Sequence, residues 1–228
     1  MKAMDDQSRI EILVRRPVST CSAFTLLELL SVIAIMGVLI TLLFPAIAAV
    51  KESGRKATAG AEVHRIATAV MAFKTEYGKL PTLPKLPKDR EGMDLAVGDP
   101  AVGMKIPNRE LFYTLRAIDA GINADNAVNF RKVVFFEGKN VADPEHPKDG
   151  FVSRTKYGNS ADSDCYFDPW GIQYCVVLDY SYDGALKLAY GDDAPRISAG
   201  AFSLGPDRSL GNSGSGKLKD SDDLASWK

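Results

Sequence analysis

The acidic residues with the strongest claim to chemistry stand near the end of the chain, where Asp207, Asp220, Asp222 and Asp223 lie on a Gly/Ser-rich stretch between Ser203 and Trp227. Calcium is a hard cation that takes about six to eight oxygen ligands, so a loop returning several carboxylates and free carbonyls to one place suits it. The spacing is not that of an EF-hand, and Asp-rich ends near a terminus also occur simply solvated. Both readings stand. A second carboxylate, Glu28, is the only charge in the apolar run from Phe24 to Val50. A carboxylate in hydrocarbon costs several kcal/mol unless it is paired or faces protein. Two thiols, Cys165 and Cys175, flank the Asp168-Pro169-Trp170-Gly171 turn. They face each other if the turn holds an odd residue, whereas a two-residue turn sets Cys165 opposite Tyr174. A bridge and a pair of buried thiols are both open.

The remaining candidates point away from catalysis. His64 and His146 have no cysteine or second histidine beside them, and both read as surface residues. There is no Cys/His cluster at zinc spacing, no P-loop and no dinucleotide glycine pattern. No nucleophile, base and orienter come together, so the expectation is that the chain is not an enzyme. Lys+Arg 28 against Asp+Glu 29 gives a net charge of -1, without the basic excess of a nucleic-acid binder.

These residues depend on the elements that hold them. The run FTLLELLSVIAIMGVLITLLFPAIAAV exceeds the ~20 apolar residues a helix needs to cross a bilayer, even with Pro45 bending its far end. A buried core helix would need a larger and less polar remainder to surround it. A signal peptide, for which Arg15 and Arg16 would supply the leading charge, has a shorter apolar core of about 7 to 15 residues. Lys51, Arg55 and Lys56 on the far side rival that pair, so charge does not set the topology. Beyond Val50, Val63, Ile66, Ala67, Val70, Phe73 and Tyr77 recur at spacings of three and four, one stripe facing a core, until Gly78 and Pro81 stop the helix. Five prolines between Lys79 and Asn108 leave an extended loop. Arg109 to Ala120 reads as a short amphipathic helix ended by Gly121, and Lys132 to Glu137 as a strand. The span from Asn140 to Asp164 reads as loop. Asp164 to Leu178 reads as strand, turn, strand, with further strands at Ala185 to Tyr190 and Ile197 to Leu204. The fold class is α+β: a long N-terminal helix against a small antiparallel sheet.

Ser22-Ala23-Phe24-Thr25-Leu26-Leu27-Glu28 resembles the prepilin processing site of type IV pilins and type II secretion pseudopilins. The resemblance implies a pilin-like fold, with cleavage by a prepilin peptidase after Ala23, which stands where the family usually has Gly, and N-methylation of Phe24. Glu28 becomes the assembly carboxylate, pairing with the Phe24 amine of a neighbouring copy. The Asp-Pro-Trp-Gly hairpin resembles that of the major pseudopilins. Their calcium loop, with a Ser-x-Gly-x-Asp start and an Asp-Ile-x-x-Trp-like end, is matched by Ser203 to Asp207 and by Asp223 to Trp227. On that match Asp207 and Asp223 are the first ligands, Asp220 and Asp222 the alternates, and the Leu204 carbonyl a backbone contributor. With cleavage removing Cys21, Cys165 and Cys175 are an even pair outside the cytoplasm, where a disulfide is permitted.

The organisation so implied is 1–23 leader, 24–50 transmembrane and assembly helix, 51–78 periplasmic half of the helix, 79–164 variable loop and short-helix region, and 165–228 sheet with acidic loop. The implied function is a homo-oligomeric pseudopilus subunit, anchored once in the inner membrane with its C-terminal domain in the periplasm. Its implied partners are minor pseudopilins, an assembly platform, the prepilin peptidase and the membrane, with no nucleic acid. A type IV pilin is the nearest alternative, and a single-pass membrane-anchored enzyme or binding protein a more distant one.

Overall fold

Helix α1 runs Leu26–Tyr77 without interruption, its apolar residues changing from an all-round distribution to a single stripe part-way along. The structure, a computed structural model, describes residues 24–84, 94–100, 103–186, 195–211 and 221–228. The chain divides into two compact units, one up to Ala48 and one from Ala49 to Lys228. In the first unit every described side chain is exposed. The helix is long and apolar enough there to cross a membrane.

In the second unit the stripe is buried: Ala59, Val63, Ile66, Ala69, Val70 and Phe73 face the core, with Ala67 and Tyr77 half-buried. Gly78 ends the helix as its composition predicts, at φ +70 with its N–H donated to the Lys74 carbonyl.

The stripe meets a four-stranded antiparallel sheet of order β1-β4-β5-β6, formed by β1 (Leu95–Val97), β4 (Cys175–Leu178), β5 (Ala199–Ser203) and β6 (Leu224–Ala225). Strand alternation sorts the side chains. Val176, Leu178, Ala199 and Ala201 join the cluster around Phe73 and Ile66. Cys175, Val177 and Phe202 point the other way, into a second cluster with Leu186, Leu204 and the half-buried Trp227. The sheet is therefore covered on both faces, and the C-terminal tail covers the outer one. Trp227 lies so close over Gly200 that a Cβ there would stand 2.4 Å from its ring.

A separate two-stranded ladder joins β2 (Gly150–Phe151) to β3 (Tyr166–Phe167). Helix α2 (Arg109–Leu115) and the single turn α3 (Arg154–Tyr157) complete the described elements, with a kinked 3-10 stretch at Gly121–Asn126.

Several expectations change. The span from Asn140 to Asp164, expected as loop, holds β2 and α3. The two arms expected as a hairpin within Asp164 to Leu178 join different sheets, β3 pairing with β2 and β4 with β1 and β5, and meet only beside the turn at the Phe167–Gln173 bridge and the Tyr174 N–H to Tyr166 carbonyl bond. Lys132 to Glu137 is not a strand. Lys132 has φ 54, and Phe135 and Phe136 both donate their N–H to the Leu115 carbonyl at the end of α2 instead of to a neighbouring strand. Helix α2 stops before Ala120 because Ala117 adopts φ 53, which lets the Ala117 and Ile118 N–H groups bond back to Thr114 and Tyr113. The loop between Lys79 and Asn108 contains β1, paired to β4 from Leu95 opposite Leu178 to Val97 opposite Val176. The strand expected at Ala185 to Tyr190 lies mostly outside the described residues, and its described start, Ala185 and Leu186, is not in a strand.

Candidate functional site

The C-terminal loop is built on the hairpin. Asp168 is fully buried, its Oδ1 accepting the N–H groups of Trp170 and Ile172 at 2.9 Å each. Its Oδ2 accepts the Ser203 hydroxyl at 2.7 Å. Burial pushes the Asp168 carboxyl up from its ordinary value, and these bonds offset part of the rise. Ser203 is the last residue of β5, so the hairpin turn fixes the point from which the acidic loop departs. The indole N–H of Trp170 donates to Glu52 of α1 at 3.1 Å and ties the same turn to the helix.

From Ser203 the chain turns at Gly205, φ +68, directly against the other end of the loop. A Cβ on Gly205 would lie 2.6 Å from the Asp222 carbonyl oxygen and 3.2 Å from its carboxylate Oδ2. Asp223 is 2% exposed. Its Oδ2 accepts the Gly211 N–H and the Ser221 hydroxyl, both at 2.7 Å, while its Oδ1 is buried without a hydrogen-bond partner. Burial raises this carboxyl too.

The structure thus brings Asp222 and Asp223 against the 203–211 segment, on which Leu204 is buried. Asp207 is exposed, with Oδ1 accepting the Ser209 N–H at 2.9 Å. Asp220 lies outside the described residues. Among the described residues no group of three or more His, Cys, Asp or Glu is arranged to hold a metal. The donor chemistry nevertheless fits a hard cation at one point, the partnerless carboxylate oxygen of Asp223.

Near the other terminus, Phe24 is exposed and Ala23 lies outside the described residues. Glu28 has a partner within the chain that the sequence reading missed. Its Oε2 accepts the N–H and the hydroxyl of Thr25 at 2.9 Å each, and its own N–H donates to Thr25 Oγ1 at 3.2 Å. This is a reciprocal cap on the first turn of α1, and Thr-x-x-Glu at the start of an apolar run is its sequence signature. His64 and His146 are exposed, the latter beside Asp143 at 3.2 Å.

The cysteines show how the hairpin opens. Phe167 bridges Gln173, and the Tyr174 N–H donates to the Tyr166 carbonyl, a register with an odd loop that sets Cys165 opposite Cys175. Both are nevertheless free, buried thiols in different clusters, their pKa values pushed up to about 12 by burial. Asn108 explains the separation. Its Oδ1 accepts the Tyr166 N–H at 3.0 Å, and its Nδ2 donates to the carbonyls of Tyr166 and Tyr174 at 2.8 and 3.0 Å. The side-chain amide replaces one rung of the ladder, so β3 departs to β2 and β4 to β5. Asn108 is fully buried, and its own N–H donates to Gln173 Oε1 at 3.1 Å. It carried no sequence signal beyond standing before a helix.

No protein-family model, curated protein or solved structure matches this chain.

Proposed function

We propose that this chain is a structural subunit of a type II secretion pseudopilus, with a pilin-like fold, held in the inner membrane and assembled into a filament through the first half of α1. The observation that carries the reading is that half itself. From Leu26 to Ala48 it is apolar and wholly exposed, so its burial has to come from lipid or from other copies. The same helix then enters a folded unit outside that segment. Cleavage after Ala23 would start the chain at Phe24, next to the Thr25–Glu28 cap. One carboxylate oxygen, Oε2, takes both Thr25 bonds, which leaves Oε1 to pair with the Phe24 amine of a neighbouring copy.

The test is the mass of the N-terminal peptide from membrane-extracted protein, with and without a prepilin peptidase. A peptidase-dependent methylated Phe24 supports the reading, and an intact Met1 defeats it. Glu28→Ala is expected to be processed normally and to lose crosslinked filament ladders. Unchanged ladders would remove the pairing.

The proposal extends to calcium. Asp223 would hold it through Oδ1, with Asp222, Asp207 and the Leu204 carbonyl as further oxygens, and the ion would supply positive charge that offsets the cost of a buried carboxylate. A chelator is expected to lower the melting temperature of the purified protein, and Asp223→Ala to abolish the shift. A melting curve indifferent to chelator, with no calcium bound, would refute this part alone.

A further inference from the structure

The tail that covers the outer face of the sheet carries a cation back onto the oxygens of the acidic loop. Ser226 pairs with Ala201 of β5 in both directions, its N–H donating to the Ala201 carbonyl at 2.9 Å and its hydroxyl accepting the Ala201 N–H at 3.0 Å. Trp227 is packed over Gly200, and the Lys228 N–H donates to the Ala225 carbonyl at 3.3 Å. These contacts fold the tail, and the Lys228 side chain returns to residues five and seven positions earlier.

There its Nζ donates to the Asp223 carbonyl at 2.9 Å, to the Ser221 hydroxyl at 3.3 Å and to the Ser221 carbonyl at 3.4 Å. An ammonium has three N–H donors and no acceptor, so three oxygens satisfy it. The Ser221 hydroxyl in turn donates to Asp223 Oδ2 at 2.7 Å, which links the ammonium to the buried carboxylate through one hydroxyl. Oδ1 of that carboxylate is buried without a partner. Burial raises the Asp223 carboxyl most, and the Lys228 charge is among the groups that pull it back.

Carbonyl, hydroxyl and carboxylate oxygens are also the ligands of a hard divalent cation. Lys228 brings a single charge to them, and none of its bonds reaches Oδ1. A divalent ion at Oδ1 would stand within a residue's length of Nζ, where like charges repel strongly because the carboxylate is buried. We propose that Lys228 is a tethered competitor for the divalent cation. Its ammonium balances the acidic loop when no metal is bound and lets go of Ser221 and Asp223 when calcium takes Asp223 Oδ1, so it sets how much calcium the loop needs. This rests on the calcium part of the reading above.

The experiment uses the full chain in detergent, with calcium alone as the probe. Lys228 is exposed, so its substitution leaves the core intact. Calorimetric titration of the wild type, Lys228→Met and Lys228→Arg is read beside the rate at which an amine-reactive reagent labels Lys228 in the wild type, followed by peptide mass. Three results together support the competition: calcium affinity about fivefold or more tighter in Lys228→Met, wild-type affinity in Lys228→Arg, and labelling of Lys228 that quickens about twofold or more when calcium is added. Calcium binding that is equal in all three proteins, or weaker in Lys228→Met, or without change in the labelling of Lys228, overturns the competition and leaves the calcium site in place. Absence of calcium binding in every variant overturns both.

Discussion

Helix α1 contains two regions that share a backbone conformation and differ in what covers them. From Leu26 to Ala48 every side chain is exposed, and the polar contacts are local, such as Thr25 with Glu28 and the Thr41 hydroxyl with the Val38 carbonyl. From Ala49 onward the stripe through Val63, Ile66, Val70 and Phe73 has no exposure at all. A helix buried on one side needs apolar residues only there, which frees the other faces for Glu62, Arg65 and Thr68. One that is apolar all round needs a partner on every side, and the described chain provides none. The contrast separates a part whose apolar stripe the rest of the chain covers from a part whose apolar surface no described residue covers.

Truncation should expose that contrast most strongly. Phe73→Ala is expected to cost about 3–5 kcal/mol of unfolding free energy, because a fully buried ring stacked on Tyr77 is lost. Leu30→Ala is expected to stay within about 0.5 kcal/mol, as an exposed site does. Urea unfolding in detergent, followed by the fluorescence of Trp170 and Trp227, measures both, and comparable losses would break the distinction.

A somewhat smaller effect is expected for Asn108→Ala, about 2–4 kcal/mol, since the backbone groups of Tyr166 and Tyr174 lose buried partners. Thr25→Ala, its counterpart in the exposed half, removes only a helix cap and should leave the urea midpoint of the folded unit unchanged.

The smallest effect is in pH. Asp168 has a raised folded-state pKa, so the folded chain holds this proton to higher pH than the unfolded chain does. Its contribution to stability is present below the unfolded value of about 3.9 and is lost as pH rises through the folded value. Asp168→Asn should flatten the decline across that window. An unchanged slope would mean that the carboxyl is ionised at its ordinary value in the fold.

Much of this was legible locally. The apolar run, the stripe, the Gly78 stop and the hairpin with its turn around Asp168 follow from spacing and turn chemistry within a few residues. The Thr25–Glu28 cap is equally local, since Thr-x-x-Glu at the start of an apolar run is its signature. The segment at Lys132 to Glu137 has strand composition, yet the Phe135 and Phe136 N–H groups are claimed by Leu115, a residue no local pattern connects to them, and the Lys132 and Val133 N–H groups by Asn129. At the candidate site the pairing of Asp168 with Ser203 is similarly invisible locally, because the two residues stand 35 positions apart.

By itself, then, the amino-acid order determined where helix and hairpin form and which helix half is amphipathic, because those depend on periodicity and on the torsions of single residues. The tertiary structure decided that a buried amide from Asn108 would stand in the hairpin ladder, that Cys165 and Cys175 would part to different clusters, and that Asp222 would close on Gly205 and Asp223 on Gly211. Those outcomes depend on polar groups far apart in the chain finding partners once water is excluded, and that competition is settled only when the whole core has packed.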